Sequence, residues 1–319
     1  MKRFCLRLLL FACTFIGFNA ALILLVPTDK NHYLLAYADK MKRLQATSPP
    51  RIVIIGGSNT AFGIDSRLIA QATSMEVVNM GLHAGIGIRF SLDESLPYIK
   101  PGDIVVLQIE YGNFFSGGNG EPETLPLLLN AIGWENARRM NAAQLRNVTA
   151  GIPQVAWTNL KRLAKWPITH TLDTQPRTDK FVYTRSGFNA YGDEVSHLRF
   201  SNQPANPGTA TTHQTVDKEF IHYLKHTISL YEKRGARVII LPPASSQANF
   251  RLHYNNHIGE ALESIGHAYA KPPEQMTVPD SCAFDTGYHL NQTGTRINTL
   301  RIANTLVPHL DKKFYTGAR

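Results

Sequence analysis

Apolar residues fall along this chain in three patterns. The first is Leu8–Val26, continuous except for Thr14 and Asn19. The hydrocarbon layer of a bilayer takes about 20 residues of helix, so this stretch predicts a transmembrane helix. Lys2, Arg3 and Arg7 flank its start. A basic flank stays in the cytoplasm, which predicts a single-pass protein whose remainder is extracytoplasmic. The competing reading is a cleaved signal peptide. Phe18-Asn19-Ala20-Ala21 is a poor small-x-small site and the apolar run continues past it, so an uncleaved anchor is expected.

The second pattern is short and branched. Arg51–Ile55 (RIVII), Glu76–Asn79, Asp103–Ile109 (DIVVLQI) and Ala236–Leu241 (ARVIIL) read as strands buried on both faces. Lys100-Pro101-Gly102 leads into the third and Pro242-Pro243 stops the fourth. The third pattern is amphipathic. Ser66–Thr73, Ile86–Leu96, His213–Arg234, Phe250–His267 and Thr293–Val307 read as helices. Strands and helices alternate, which predicts an α/β fold with a mostly parallel sheet and helices on both faces. The stretch 114–212 breaks that rhythm and is expected to be an insertion above the sheet. An excursion of that length usually covers a site or binds something. The expected organisation is an anchor at 1–28, a juxtamembrane spacer at 29–50 ending in Ser48-Pro49-Pro50, and a domain at 51–312.

Composition narrows the classes. The 319 residues are 43% hydrophobic and 18% charged, enough for a sizeable core. The net charge of +9 is diffuse, with no run of five basic residues and no zinc-finger, RRM or helix-turn-helix signature. Nucleic acid is therefore not an expected partner. A basic balance fits a protein beside an anionic membrane or one handling an acidic polymer; Arg138, Arg139, Arg146, Lys161 and Arg162 belong to segments of that kind. Cys5 and Cys13 lie in or beside the anchor and Cys282 is alone outside it, so the domain holds no internal disulfide.

In an open α/β sheet, ligands bind beyond the carboxyl ends of the strands. Gly56-Gly57-Ser58-Asn59 sits at such an end. Two glycines there let the backbone turn sharply and display a hydroxyl in front of a helix. A plain turn with a helix N-cap is the bland reading. A phosphate loop is disfavoured, because GK[ST] and GxGxxG are both missing. A serine needs a base at about 2.6–3.2 Å, and a carboxylate orients that base. "FDTGYHLNQTG", 284–294, supplies both in Asp285 and His289. "NMGLHAGIG", 79–87, and "IEYGNFF", 109–115, add glycine amides and Asn113 at two more strand ends. Such donors contribute roughly 2.7–4 kcal/mol to an oxyanion transition state. His83, within the glycine loop, and Asn59 are candidate substrate contacts. His222 with His226, and His253 with His257, stand at i,i+4 with Glu219 and Glu260 a turn away. Neither pair reads HExxH, so solvated helix faces are expected and no metal is assigned. "RSGFNAYGD", 185–193, with His197 mixes residues found on sugar-binding surfaces, against a plainer reading as core and turn.

The order of serine, glycine, asparagine, then aspartate and histidine near the C-terminus resembles the SGNH (GDSL-like) hydrolase superfamily. The resemblance covers 51–115 and 237–310. It implies a flavodoxin-like sheet and a Ser-His-Asp site for esters, with no cofactor. Ser58 takes the place of the nucleophile, with its own amide in the oxyanion hole beside Gly85 (Gly81 as the fallback) and Asn113. Asp285 and His289 complete the triad. The chain departs from the pattern in Gly56-Gly57-Ser58 for Gly-Asp-Ser, in Tyr111-Gly112-Asn113-Phe114 for Gly-x-Asn-Asp, and in a four-residue Asp-to-His spacing. It looks like the membrane-anchored branch that modifies envelope or exported polysaccharides. The implied activity is acyl-ester hydrolysis or O-acyl transfer, on O-acetyl groups of a carbohydrate polymer or on another acyl ester. A non-catalytic glycan-binding or scaffold protein on the same fold is the rival. The triad reading predicts the Ser58 hydroxyl on one His289 ring nitrogen, Asp285 on the other, Gly85 and Asn113 at the pocket border, and part of the insertion as its roof.

Overall fold

The computed structural model describes residues 1–170, 172, 182–203 and 210–310. Residues 171, 173–181 and 204–209 of the expected insertion, and 311–312 of the expected domain, lie outside the described residues.

Four parallel strands make the central sheet: β1 Arg51–Gly56, β2 Glu76–Asn79, β3 Ile104–Gln108 and β4 Arg237–Ile240, in the order β2-β1-β3-β4. The register pairs Gly56 with Gln108, so the ends of β1 and β3 leave the sheet side by side. Alternate strand residues serve opposite faces. Val53, Ile55, Val105 and Leu107 join one core with residues of α2 Ala36–Ala46, α5 Ile88–Ser95, α7 Leu125–Ile132 and α9 Lys218–Lys233. Ile52, Ile54, Ile104 and Val106 join the other with Ile69 of α4 Ser66–Thr73 and with Ile302 and Leu306 of α12 Gln292–Leu306. Helices therefore cover both faces, as the continuous branched runs require.

Short helices α3 Ser58–Ala61 and α6 Asn113–Ser116 follow β1 and β3. α8 Ala142–Thr169 lies within the expected insertion, opened by a capping box in which Asn141 and Gln144 each accept from the other's backbone amide. A two-stranded piece, β5 Ser245–Ser246 with β6 Thr277–Val278, lies after the main sheet. α1 Lys2–Leu25 is the one helix among the described residues long and apolar enough to cross a membrane.

Three expectations need correction. The stretch Phe250–His267 is not one helix but α10 Gln247–His253 and α11 His257–Ser264. Tyr254 breaks it with an extended backbone while its ring stacks on Phe250 at 4.8 Å. The helix expected from His213 starts at Lys218, where the Asp217 carboxylate accepts the amides of Glu219 and Phe220. The segment 29–50 is no spacer. Tyr37 and Leu44 of α2 are buried, with Met41 packed between them in sequence at helical spacing.

Lys40 of α2 is 3% exposed. Its ammonium donates to the Asn79 carbonyl at 3.1 Å and to the Gly192 carbonyl, and stands 4.5 Å from the Phe188 ring centroid. Burial lowers its pKa to about 7, against the pull of Asp193 and Glu194. The unfolded chain keeps the proton to about pH 10.4, so the unfolded state binds more protons above pH 7. Stability contributed by this site must rise with pH across that window. Lys40→Met is expected to remove the rise and, by stranding two carbonyls, to destabilise by about 1–3 kcal/mol each. Thermal unfolding of the solubilised chain at pH 7 and pH 9 checks it; a variant as stable as the parent at both contradicts it.

Candidate active site

The end of β1 explains its two glycines. A Cβ on Gly56 would stand 2.6 Å from Thr60 Cγ2, and one on Gly57 only 2.4 Å from Glu110 Oε1. Any side chain at 57 would expel the Glu110 carboxylate. That oxygen accepts the Asn59 amide at 3.0 Å and the Ser58 hydroxyl at 3.2 Å. It thus satisfies one of the amides that a helix start leaves unpaired. Burial raises the Glu110 pKa; the Asn59 amide, the His289 charge and the Ser58 hydroxyl oppose that rise.

The second half of the site is a tight loop. His289 Nδ1 lies 2.7 Å from Asp285 Oδ1, and the Tyr183 hydroxyl donates to Asp285 Oδ2. The same hydroxyl is 3.2 Å from His289 Nδ1. The four-residue Asp-to-His spacing works because Thr286 Oγ1 accepts the His289 amide at 3.1 Å, drawing the loop back on itself. The Phe62 ring, just after α3, stacks on the His289 imidazole at 4.1 Å and 15°. Burial pushes the Asp285 pKa up, but the His289 hydrogen bond and charge and the Tyr183 hydroxyl outweigh it and hold it below its ordinary value. Behind the loop, His197 Nε2 donates to the Leu290 carbonyl at 2.8 Å while its Nδ1 meets Glu194 Oε2 at 2.5 Å. A buried acid–histidine pair therefore braces the residue after His289.

Ser58, Asp285 and His289 lie on the carboxyl side of the sheet, but not in the expected hydrogen-bond chain. The Ser58 hydroxyl turns to Glu110, and among the described residues no hydrogen bond joins it to His289. A carboxylate facing α3's first amides takes the hydroxyl instead. The other expected site residues also have partners at rest. Asn59 is buried; its Oδ1 accepts the Gly57 amide at 3.0 Å and its Nδ2 donates to the Gln108 carbonyl at 3.1 Å, so it ties β1 to β3. The Gly85 amide donates to His83 Nδ1 at 2.9 Å, and the Gly81 amide to Asn79 Oδ1 at 3.0 Å. Asn113 is buried, accepting from the Ile88 amide and donating to the Glu110 carbonyl, both at 3.4 Å. His83 is exposed; desolvation by its surroundings lowers its pKa first and the charge of nearby His289 lowers it further.

The stretch 185–193 follows the plainer reading. Arg185 is paired with Asp39, and the buried Asp193 carboxylate accepts from Ser66, Asn79 and Asn189. Among the described residues no three His, Cys, Asp or Glu side chains are grouped to hold a metal ion. Glu110, Tyr183 and Phe62 are the residues that sequence reasoning missed. For Glu110 a signal exists, since an acid directly after a buried strand must find donors. For Tyr183 none exists. Its φ of +54°, in the left-handed region, is fixed by contacts distant in sequence, with Asp285 and with the Tyr33 ring at 5.8 Å.

Glu110 offers a test of this electrostatic arrangement. With a raised folded pKa, the folded state holds its proton after the unfolded carboxylate has ionised near pH 4.3, so stability falls as pH rises through that window. Glu110→Gln is expected to lack this fall. Parallel thermal melts from pH 4 to 8 measure it as a parent-minus-variant difference that declines with pH; a rising difference contradicts the assignment. No family model, curated protein or solved structure matches the chain.

Proposed function

We propose that this is a membrane-anchored, outward-facing serine acyl hydrolase or O-acyltransferase of the SGNH type, acting on O-acetyl groups of an envelope or secreted polysaccharide. The observation that carries the reading is the meeting of two distant segments. A serine hydroxyl at the head of α3 and an Asp285-bound imidazole stacked on Phe62, just after α3, lie at the same end of the sheet. The strand order β2-β1-β3-β4 supports a flavodoxin-like sheet, whose ligands bind where β1 and β3 diverge. Tyr183, from the 114–212 stretch, supports an insertion that completes the site.

In this reading Asp285 orients His289 through Nδ1 and leaves Nε2 as the base. Ser58 rotates its hydroxyl from Glu110 to Nε2, loses its proton there and attacks the ester carbonyl. The developing oxyanion is met by the Ser58 amide, which turns to it from the Glu110 carboxylate. Asn113 Nδ2 joins it by giving up its long 3.4 Å bond to the Glu110 carbonyl, and the Gly85 amide by giving up His83. His289 then protonates the leaving alcohol, and water or a glycan hydroxyl accepts the acyl group.

One observation favours the rival reading, a non-catalytic glycan-binding or scaffold protein: the hydroxyl rests on Glu110 and not on the imidazole. Kinetics separate the two. In the full chain, Ser58→Ala is expected to lower kcat/KM for an aryl acetate by about 10³-fold or more, as loss of a nucleophile does, while still unfolding cooperatively as the parent does. Equal turnover by parent and variant would sink the enzyme reading.

A further inference from the structure

α8 is made of two unlike halves. Val148, Gly151, Val155, Ala156 and Asn159 are buried in the body of the protein. Beyond them the helix overhangs: Lys161 and residues 163–169 are all exposed. The overhang carries large apolar groups, with Leu163 at 37%, Trp166 at 55% and Ile168 at 83% exposed, and Trp157 just before it at 59%. By helical geometry Leu163 and Trp166 continue the buried stripe, whereas Trp157 and Ile168 stand on the opposite side. Apolar groups therefore ring these turns. The whole helix holds four basic residues, Arg146, Lys161, Arg162 and Lys165, and no acidic one.

What covers this end is indicated by its neighbour. The last turns of α1 pack on α8, Leu22 and Ile23 against Val155 and Ala156. Asn159 Nδ2 donates to the Leu22 carbonyl at 2.9 Å, and Arg162 to the Pro27 carbonyl at 2.7 Å. On the other flank of those turns Leu24 and Leu25 are exposed. The uncharged run Leu8–Val26 is about 28 Å long at 1.5 Å per residue. A hydrocarbon layer is about 30 Å thick, so α1 has no length to spare. If α1 crosses, Leu22–Val26 lie in the apolar layer, and α8 is held against them at that depth.

We propose that the end of α8, from Trp157 to Thr169, is embedded in the headgroup layer of an anionic bilayer. Trp157, Leu163, Trp166 and Ile168 meet the upper acyl chains. Lys161 and Lys165 reach back to the lipid phosphates along their methylene stems. Tryptophan is enriched at this depth because its ring is apolar and its N–H finds a partner in the headgroups. A groove for a soluble acidic polymer would use the lysines but leave two indoles and Ile168 in water. The body is thus tied to the membrane twice, by α1 and by α8, which fixes its tilt as a single span does not.

The test uses the full chain in phosphatidylcholine–phosphatidylglycerol nanodiscs with acyl chains brominated near the headgroup or near the chain end. Bromine quenches nearby tryptophan. Parent emission is expected to be quenched more by the shallow bromines, and the Trp157→Phe/Trp166→Phe double variant to lose most of that quenching. Lys161→Glu with Lys165→Glu is expected to reduce it in discs containing phosphatidylglycerol. Equal quenching in parent and double variant would overturn the proposal. So would an emission shift produced by a soluble acidic polysaccharide and not by lipid, which would assign the surface to a polymer.

Discussion

The carboxylate of Glu110 is buried against the start of α3, and the mouth of the sheet is arranged around it. Gly57 has no side chain because Glu110 Oε1 occupies its space. Asn59 gives its amide to that oxygen while its side chain links the Gly57 amide to the Gln108 carbonyl. The turn that follows β1, and with it the display of Ser58, is therefore built around one acid. Burying an acid is unfavourable unless donors meet it, and here they come from the same turn it stabilises. A second network ties β2 to the same place: Asn79 Nδ2 donates to the Thr60 carbonyl and to Asp193, and Asp193 also holds Ser66 at the head of α4.

Parts of this were legible in the sequence because they obey local rules. β2 and α4 fall on the residues that the branched run and the amphipathic period mark, and the structure adds an Asp65 cap whose carboxylate accepts the amides of Arg67 and Leu68. The parallel sheet followed from branched runs of strand length. The loop bearing Asp285 and His289 was visible as a pair of chemical groups, although nothing local shows Thr286 folding it. α2 was hidden because Tyr37, Met41 and Leu44 are scattered among charged residues, so the stretch reads as polar. Its burial depends on Lys40 reaching carbonyls of residues 79 and 192, a contact between distant segments. Tyr183 was illegible for the same reason.

At the candidate site a serine hydroxyl donates to a buried acid, and an acid-bound imidazole stacks on Phe62, four residues further along the chain from that serine. Phe62 and Tyr183 fix the imidazole plane and its carboxylate. In the proposed reaction Ser58 changes partner, and Glu110 holds it at rest. That makes Glu110 the residue on which the enzyme and binding readings divide, since a hydroxyl that never leaves the carboxylate cannot attack.

The most direct measurement is peptide mass spectrometry of the full chain quenched within seconds of exposure to an aryl acetate. The account predicts an acetyl group on the Ser58 peptide that forms much more slowly in His289→Ala. An unmodified Ser58 peptide, or one acetylated at the same rate without His289, would contradict it.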